Sequence, residues 1–330
     1  MSHYLVTGGL GVVGSLFAEH VAALGNQVTV WDDGFDRRHG WTGNRLFGLG
    51  VSVERESIGS MLMELGAPLN DFDFILHAAA STGIPYSAGR PDDDWNRNAE
   101  TTRILLEELR GLGPRAPRTV VLSSVKPCST RSLPLTEDSP VDPDEPYAAS
   151  KAAQAALCQA WGRTYGLPVW VLRCSNLYGP APCHGPRHGW LTWFCIQAAL
   201  GWPLEIQGSG EQVRDMLYSD DLIEAIMRMF HTEEPPPPGE LYMMGGAFEK
   251  TISVNEAAQT LGLLQPLLCT RPGPARSHED DVVYTSTYKF DHAFPGWRAQ
   301  ISPKEGMARI LSWARQNADA LRDIYRDYAP

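Results

Sequence analysis

Apolar and polar positions follow two rhythms along this chain. Short, nearly continuous apolar runs come at Tyr4-Leu5-Val6, Gln27-Val28-Thr29-Val30-Trp31, Val51-Ser52-Val53, Phe72 to His77, Thr119 to Ser123 and Val169 to Arg173. Runs of this length predict strands buried on both faces, as in a parallel sheet, because a half-exposed strand would alternate strictly. Between them lie longer stretches with apolar residues three and four apart. Asn98 to Arg110 and Tyr147 to Tyr165 are the clearest, and they predict helices. Strands alternating with helices imply an α/β fold built on a doubly wound parallel sheet. From Asn176 the texture changes, with glycine, proline and aromatic residues crowding Tyr178 to Pro203. A helix is predicted from about Ser219 to His231, an exposed linker at Pro235 to Pro238, and a short strand at Leu241-Tyr242-Met243. The expected organisation is a larger unit over 1–175 with a returning segment near 212–240, and a smaller lobe over 176–211 and 241–330.

Composition narrows the partners. At 330 residues and 43% hydrophobic content, the chain can bury a full core. Its net charge of -11 argues against nucleic acid, since phosphate backbones are held by clustered Lys and Arg. The cysteines (Cys128, Cys158, Cys174, Cys183, Cys195 and Cys269) show no CxxC spacing, so neither a zinc site nor a disulfide framework is indicated. A reducing cytoplasm is the expected compartment. The first strand begins almost at once, so no signal peptide is expected. No apolar run approaches the roughly 18 residues of a membrane span, so no membrane partner is expected.

The first strand leads into the most specific chemistry. Thr7-Gly8-Gly9-Leu10-Gly11-Val12-Val13-Gly14 follows it directly and opens a helix. In that strand-turn-helix context Gly8 permits a tight turn. Gly11, with Val12 and Val13, lets the N–H groups of a positive helix N-terminus approach a pyrophosphate, and Gly14 lets the helix lie close on the sheet. The second strand ends in Asp32-Asp33, where a carboxylate receives the ribose hydroxyls of NAD and repels a 2′-phosphate. NAD is therefore the expected cofactor, with Arg37 and Arg38 the residues that NADP would use. Farther on, Tyr147-Ala148-Ala149-Ser150-Lys151 sets a phenol and an ammonium at i and i+4, on one helix face. A nearby cation stabilises tyrosinate, so Tyr147 is expected to act as general base with Lys151 lowering its pKa. Ser124, ending the fifth strand, is expected to share the hydrogen bond to a reacting hydroxyl.

With these motifs in place, the chain resembles the extended short-chain dehydrogenase/reductase superfamily of nucleotide-sugar epimerases and dehydratases, over essentially its whole length. The resemblance takes in His77-Ala78-Ala79-Ala80, Asn98, Arg173-Cys174-Ser175-Asn176-Leu177-Tyr178-Gly179-Pro180 and Gly208-Ser209-Gly210-Glu211-Gln212-Val213-Arg214-Asp215. It implies a Rossmann-like NAD domain with a smaller C-terminal substrate lobe and cofactor contacts at Ala78 and Ala79. It also implies a nucleotide sugar or nucleoside-like substrate, with Asn176 in its site and Arg214 and Arg276 on a diphosphate. A homodimer is implied as well, its helices near Asn98 to Arg110 and Tyr147 to Tyr165 pairing into a four-helix bundle with Ile104, Leu105, Ala152 and Ala156. Trp190 and Trp193 are candidates for the wall of a nucleobase site or for core.

Within the superfamily, Gly189-Trp190-Leu191-Thr192-Trp193-Phe194 and Gln212-Val213-Arg214-Asp215-Met216-Leu217-Tyr218 are most similar to the CDP-paratose (CDP-tyvelose) 2-epimerases. Lys126 falls on that subfamily's lysine and is expected to deliver a proton or orient a hydroxyl. The 4,6-dehydratases carry Asp-Glu where Val125-Lys126 stand. Epimerisation through a transient ketone is therefore the expected activity. A dehydratase using the same ketone is one alternative. A non-catalytic NAD-binding protein is another, and Ser124, Tyr147 and Lys151 speak against it. Cys128 is a candidate acid or a packing residue. His184 and His188 have no third ligand nearby in the sequence, and no metal is expected.

Overall fold

In the computed structural model, which describes residues 1–34, 36–82, 87, 89–275 and 280–330 with the backbone alone at 187, the six apolar runs become six parallel strands. These are β1 (His3–Thr7), β2 (Gln27–Trp31), β3 (Ser52–Glu54), β4 (Phe74–His77), β5 (Arg118–Ser124) and β6 (Val169–Cys174). The chain then leaves the sheet to form β7 (Asn176–Tyr178), β8 (Leu204–Gln207) and β9 (Val213–Tyr218), and returns with β10 (Leu241–Met244). The sheet order is β10-β6-β5-β4-β1-β2-β3, parallel throughout. The strand predicted at Leu241 thus extends the main sheet beside β6, and the expected lobe boundary at 241 gives way to a returning segment that includes β10. Its pairing partner lies about seventy residues upstream, so local pattern could not place it.

Successive side chains of β1 divide between two cores. Tyr4 and Val6 meet Phe17 of α1 (Val12–Ala23), while Leu5 belongs to the opposite layer. There α3 (Thr101–Leu112) and α4 (Pro146–Tyr165) follow α2 (Arg37–Gly48) in the chain and supply Leu105, Leu106, Leu109, Ala155 and Cys158. Sequence sets the limits of α4. Pro146 in its first turn is pre-set in φ and gives up a hydrogen bond that no helix start makes, and Gly166 ends it in the left-handed region at φ +65°. The helix predicted from Asn98 is instead a π-helical turn, Trp95–Glu100, running into α3.

The remaining elements build the smaller lobe and close the first core. After α5 (Trp190–Leu200), α6 (Ser219–His231) packs Leu222, Ile226 and Phe230 under the main sheet. β9 pairs with β7 along Met216–Tyr218, and its other half with antiparallel β11 (Thr251–Ser253). Following α7 (Val254–Leu264), β12 (Thr270–Gly273) pairs with β8, and β13 (Val282–Val283) with β9. Among the described residues, no helix is long and apolar enough to cross a membrane.

Candidate active site

The strand order reverses between β4 and β2, at β1, and open α/β sheets place ligands at that crevice beyond the strand ends. A cleft of about 1500 Å³ lies there. Gly8, Gly11, Val12, Val13 and Gly14 from the β1–α1 turn line it, with Asp32 and Asp33 after β2 and Ala78 and Ala79 after β4. Ser124 and Lys126 at the end of β5, Tyr147 and Lys151 on α4, and Asn176, Trp190 and Arg214 from the smaller lobe line the same cleft. Arg276 lies outside the described residues.

The turn is built for close approach. Gly8 sits at φ +69°, and a Cβ there would lie 2.5 Å from the Ala79 backbone. A methyl on Gly14 would collide with the Gly8 carbonyl oxygen. Gly11 is the N-cap of α1 and has no side chain to occupy the helix end. Asp32 accepts the Leu10 N–H at 2.8 Å on one oxygen and the Gly34 N–H at 2.8 Å on the other. Burial raises its pKa, opposed by those two bonds and by His39. Asp33 is ion-paired with Arg97 at 3.1 Å. Arg38, which a 2′-phosphate would need, is paired with Asp36. A sterically open helix start and a half-buried carboxylate after β2 fit NAD and disfavour NADP.

Tyr147 and Lys151, the groups expected to serve the reaction, are buried together beside the half-buried Ser124. Tyr147 is bonded to Ser124, and burial pushes its phenol up to about 12, with Ser124 opposing that rise and Glu145 and Asp94 adding to it. Burial also brings Lys151 down to about 8. The expected lowering of the phenol by Lys151 is therefore outweighed: the loss of water around the hydroxyl dominates. Lys151 Nζ donates to the Leu122 carbonyl at 3.2 Å and to Gln154 Oε1 at 3.0 Å.

Lys126 donates its backbone N–H to Ser124 Oγ at 3.1 Å, and its ammonium pairs with Asp280 at 3.3 Å and Asp144 at 3.8 Å. Asp280 also accepts from Thr130 at 2.8 Å, and its carbonyl accepts from Arg214 at 2.7 Å. One short segment thus joins the two positive groups. Neighbouring Val125 is buried with Cys128, Leu135, Met243 and Val283. Burial raises the Cys128 thiol against the opposing charge of Arg173, whose Nη1 is 3.6 Å from the sulfur. Trp190 packs edge-on against Phe194 at 5.6 Å, whereas Trp193 is buried against Tyr325 and Trp202 as core. Sequence reasoning missed Asp280, which no motif marks. It also missed Gln154, which the three-residue spacing from Lys151 on an alanine-rich helix face could have flagged.

Comparison with known proteins gives the family. The model of the family described as "NAD dependent epimerase/dehydratase family" matches residues 4–245. The chain is similar to a dTDP-glucose 4,6-dehydratase of Haemophilus influenzae, 31% identical over 269 residues, 75% of this chain and 78% of that one. It is also similar to one of Xanthomonas campestris pv. campestris, 31% identical over 344 residues, 96% and 94% of the two chains. Among solved structures, MoeE5 in complex with UDP-glucuronic acid and NAD superposes with a TM-score of 0.81 at 25% identity, over 96% of this chain and 99% of that one. UDP-glucose 4-epimerase of Thermotoga maritima shares the fold, with a TM-score of 0.82 at 23% identity over 96% and 99%.

Proposed function

The chain belongs to the NAD dependent epimerase/dehydratase family, and from that membership we propose that it is a nucleotide-sugar epimerase of the 2-epimerase type, working by transient oxidation of one sugar carbon. The observation that carries this reading is the pair after Ser124: Val125 is buried and apolar, and the Lys126 ammonium is engaged by Asp280 and Asp144. Eliminating water beside a ketone needs one group to take a carbon-bound proton and another to protonate the departing hydroxyl. Valine does neither, and an ion-paired ammonium takes no proton. Epimerisation asks only that the ketone turn over within the site.

Tyr147 takes the proton of the reacting hydroxyl while Ser124 holds the same oxygen, and Tyr147 later returns it. NAD, when bound, would supply the hydride acceptor for the oxidation and the hydride donor for the return, together with a positive charge that favours the tyrosinate. Lys151 would anchor the nicotinamide ribose and adds its charge to the phenol's surroundings. Gly8, Gly11 and Gly14 with Val12 and Val13 would hold the pyrophosphate, Asp32 with Asp33 the adenosine ribose, and Ala78 and Ala79 would line the rest of the cofactor's site. Lys126 orients a neighbouring hydroxyl. Asn176, Trp190, Arg214 and Arg276 hold the nucleotide end of the substrate.

A dehydratase reading is favoured by the relatives named dTDP-glucose 4,6-dehydratase; Lys126 or Cys128 would then protonate the leaving hydroxyl. Incubation with a panel of nucleotide sugars in deuterated water separates the two. The epimerase gives a stereoisomer of unchanged mass with no deuterium retained at carbon. A product lighter by one water overturns that reading.

We also propose a homodimer through the outer faces of α3 and α4. Ile104 and Ala152 are half-buried there and Ala156 is exposed, whereas Leu105 is spent in the core.

A further inference from the structure

A buried polar chain runs behind Lys151, through side chains the reaction itself does not use. Gln154 accepts from Lys151 Nζ at 3.0 Å through Oε1 and donates through Nε2 to Thr102 Oγ1 at 3.1 Å. Thr102 gives its only hydroxyl hydrogen to the Asn98 carbonyl at 2.7 Å, so its oxygen is purely an acceptor toward its other neighbours. One of them is His77, whose Nε2 lies 2.9 Å away and must therefore carry the ring hydrogen. The other ring nitrogen then accepts from Thr7 Oγ1 at 2.7 Å. Thr7, His77, Thr102 and Gln154 are all fully buried. With the Thr102 hydrogen committed, the Gln154 amide has one orientation that leaves no two donors facing each other, and it turns oxygen toward Lys151.

We propose that Gln154 is a positioning residue for Lys151, its amide oxygen holding the ammonium against the Leu122 carbonyl and aiming its remaining hydrogen at the cleft, with Thr102 and His77 fixing which end of the amide faces the lysine. The inference rests on the reading of Lys151 as the cofactor-anchoring cation. A hydrogen bond from an ammonium to a buried amide oxygen favours the charged form, and the fully buried Gln154 side chain makes its loss on truncation costly. Other titratable groups facing Lys151 are Asp94 ahead of α3, Cys158 on α4, Cys174 on β6, His77 on β4 and Tyr147 one turn back on α4. Gln154 is the one whose atoms meet the ammonium directly in this chain of bonds.

The chain has five lysines, Lys126, Lys151, Lys250, Lys289 and Lys304, so a pH titration of full-length, NAD-loaded protein labelled with carbon-13 at lysine Cε gives few signals, and Lys151 is the one missing in Lys151→Met. Gln154→Leu should lower the Lys151 midpoint by about one pH unit, the worth of one charge-assisted hydrogen bond, and Gln154→Glu should raise it. Thr102→Val, which frees the amide to turn, should move it in the direction of the leucine variant. Near-ultraviolet circular dichroism checks folding; should the leucine variant not fold, the shifts in the glutamate and valine variants decide the matter in its place. Midpoints equal to wild type in the folded variants would overturn the proposal. NADH affinity measured by fluorescence tests the underlying reading separately: Lys151→Met binding NADH as wild type does would overturn the anchoring role and leave the Gln154 titration standing.

Discussion

At the scale of single residues, the proposed chemistry concentrates on Tyr147. Its phenol is buried against Ser124, and a proton carrier is what Tyr147→Phe removes. That variant should lose about 10²- to 10⁴-fold in turnover while binding NAD, measured by calorimetry, as wild type does. Lys151→Ala should lose both turnover and affinity. His77 makes a prediction about stability. Burial brings it down from 6.5 to about 3, so the folded chain keeps it neutral while the unfolded chain protonates it below 6.5. Its contribution is therefore full above 6.5 and is lost as pH falls toward 3, at about 1.4 kcal/mol per pH unit. Half-buried His184, brought by desolvation to about 3, adds a second such proton. Urea midpoints across this range should fall less steeply for His77→Gln than for wild type. Ser124, Tyr147 and Lys151 were legible in the sequence because helical spacing and a strand end place them together. Asp280 was not, since it reaches Lys126 across more than a hundred and fifty residues, and no local pattern encodes that contact.

Among the elements, the β1–α1 turn is the most sequence-determined, because its glycines are required by van der Waals contact with the turn's own backbone and with the strand beside it. Gly14→Ala forces α1 off the sheet, which should cost about 1–3 kcal/mol in urea unfolding and weaken NAD binding in parallel. The start of the helix predicted from Asn98 was not legible, since apolar periodicity does not reveal a π-turn. The hydrogen bonds of Asn98 explain that turn's packing: its side chain accepts the Ser81 N–H at 2.9 Å and donates to Ser150 at 2.8 Å, tying the turn to the loop after β4 and to α4. On the far side of the same elements, an Ala156→Arg substitution places a charge on the proposed dimer face. Light scattering at micromolar concentration should find a dimer for wild type and a monomer for the variant. A wild-type monomer would remove the dimer.

For the molecule as a whole, alternation of strands and helices announced a doubly wound sheet, and the first six strands of that sheet followed from the apolar runs. The seventh strand did not follow, because β10 joins only after the chain has built β7 to β9 in the other lobe. That detour brings Arg214, and the later segment ahead of β13 brings Asp280, over the same cleft as Ser124, Tyr147 and Lys126. The central claim is that this cleft oxidises a sugar carbon and then restores the hydride without net redox change. Rapid mixing of NAD-loaded protein with the turnover-competent nucleotide sugar, followed in the absorption band of reduced nicotinamide, tests it most directly. The signal should rise and decay within turnover in wild type, return to its starting level, and be absent in Tyr147→Phe. Product formed with no reduced nicotinamide at any time, or reduced cofactor accumulating in step with product, would contradict the account.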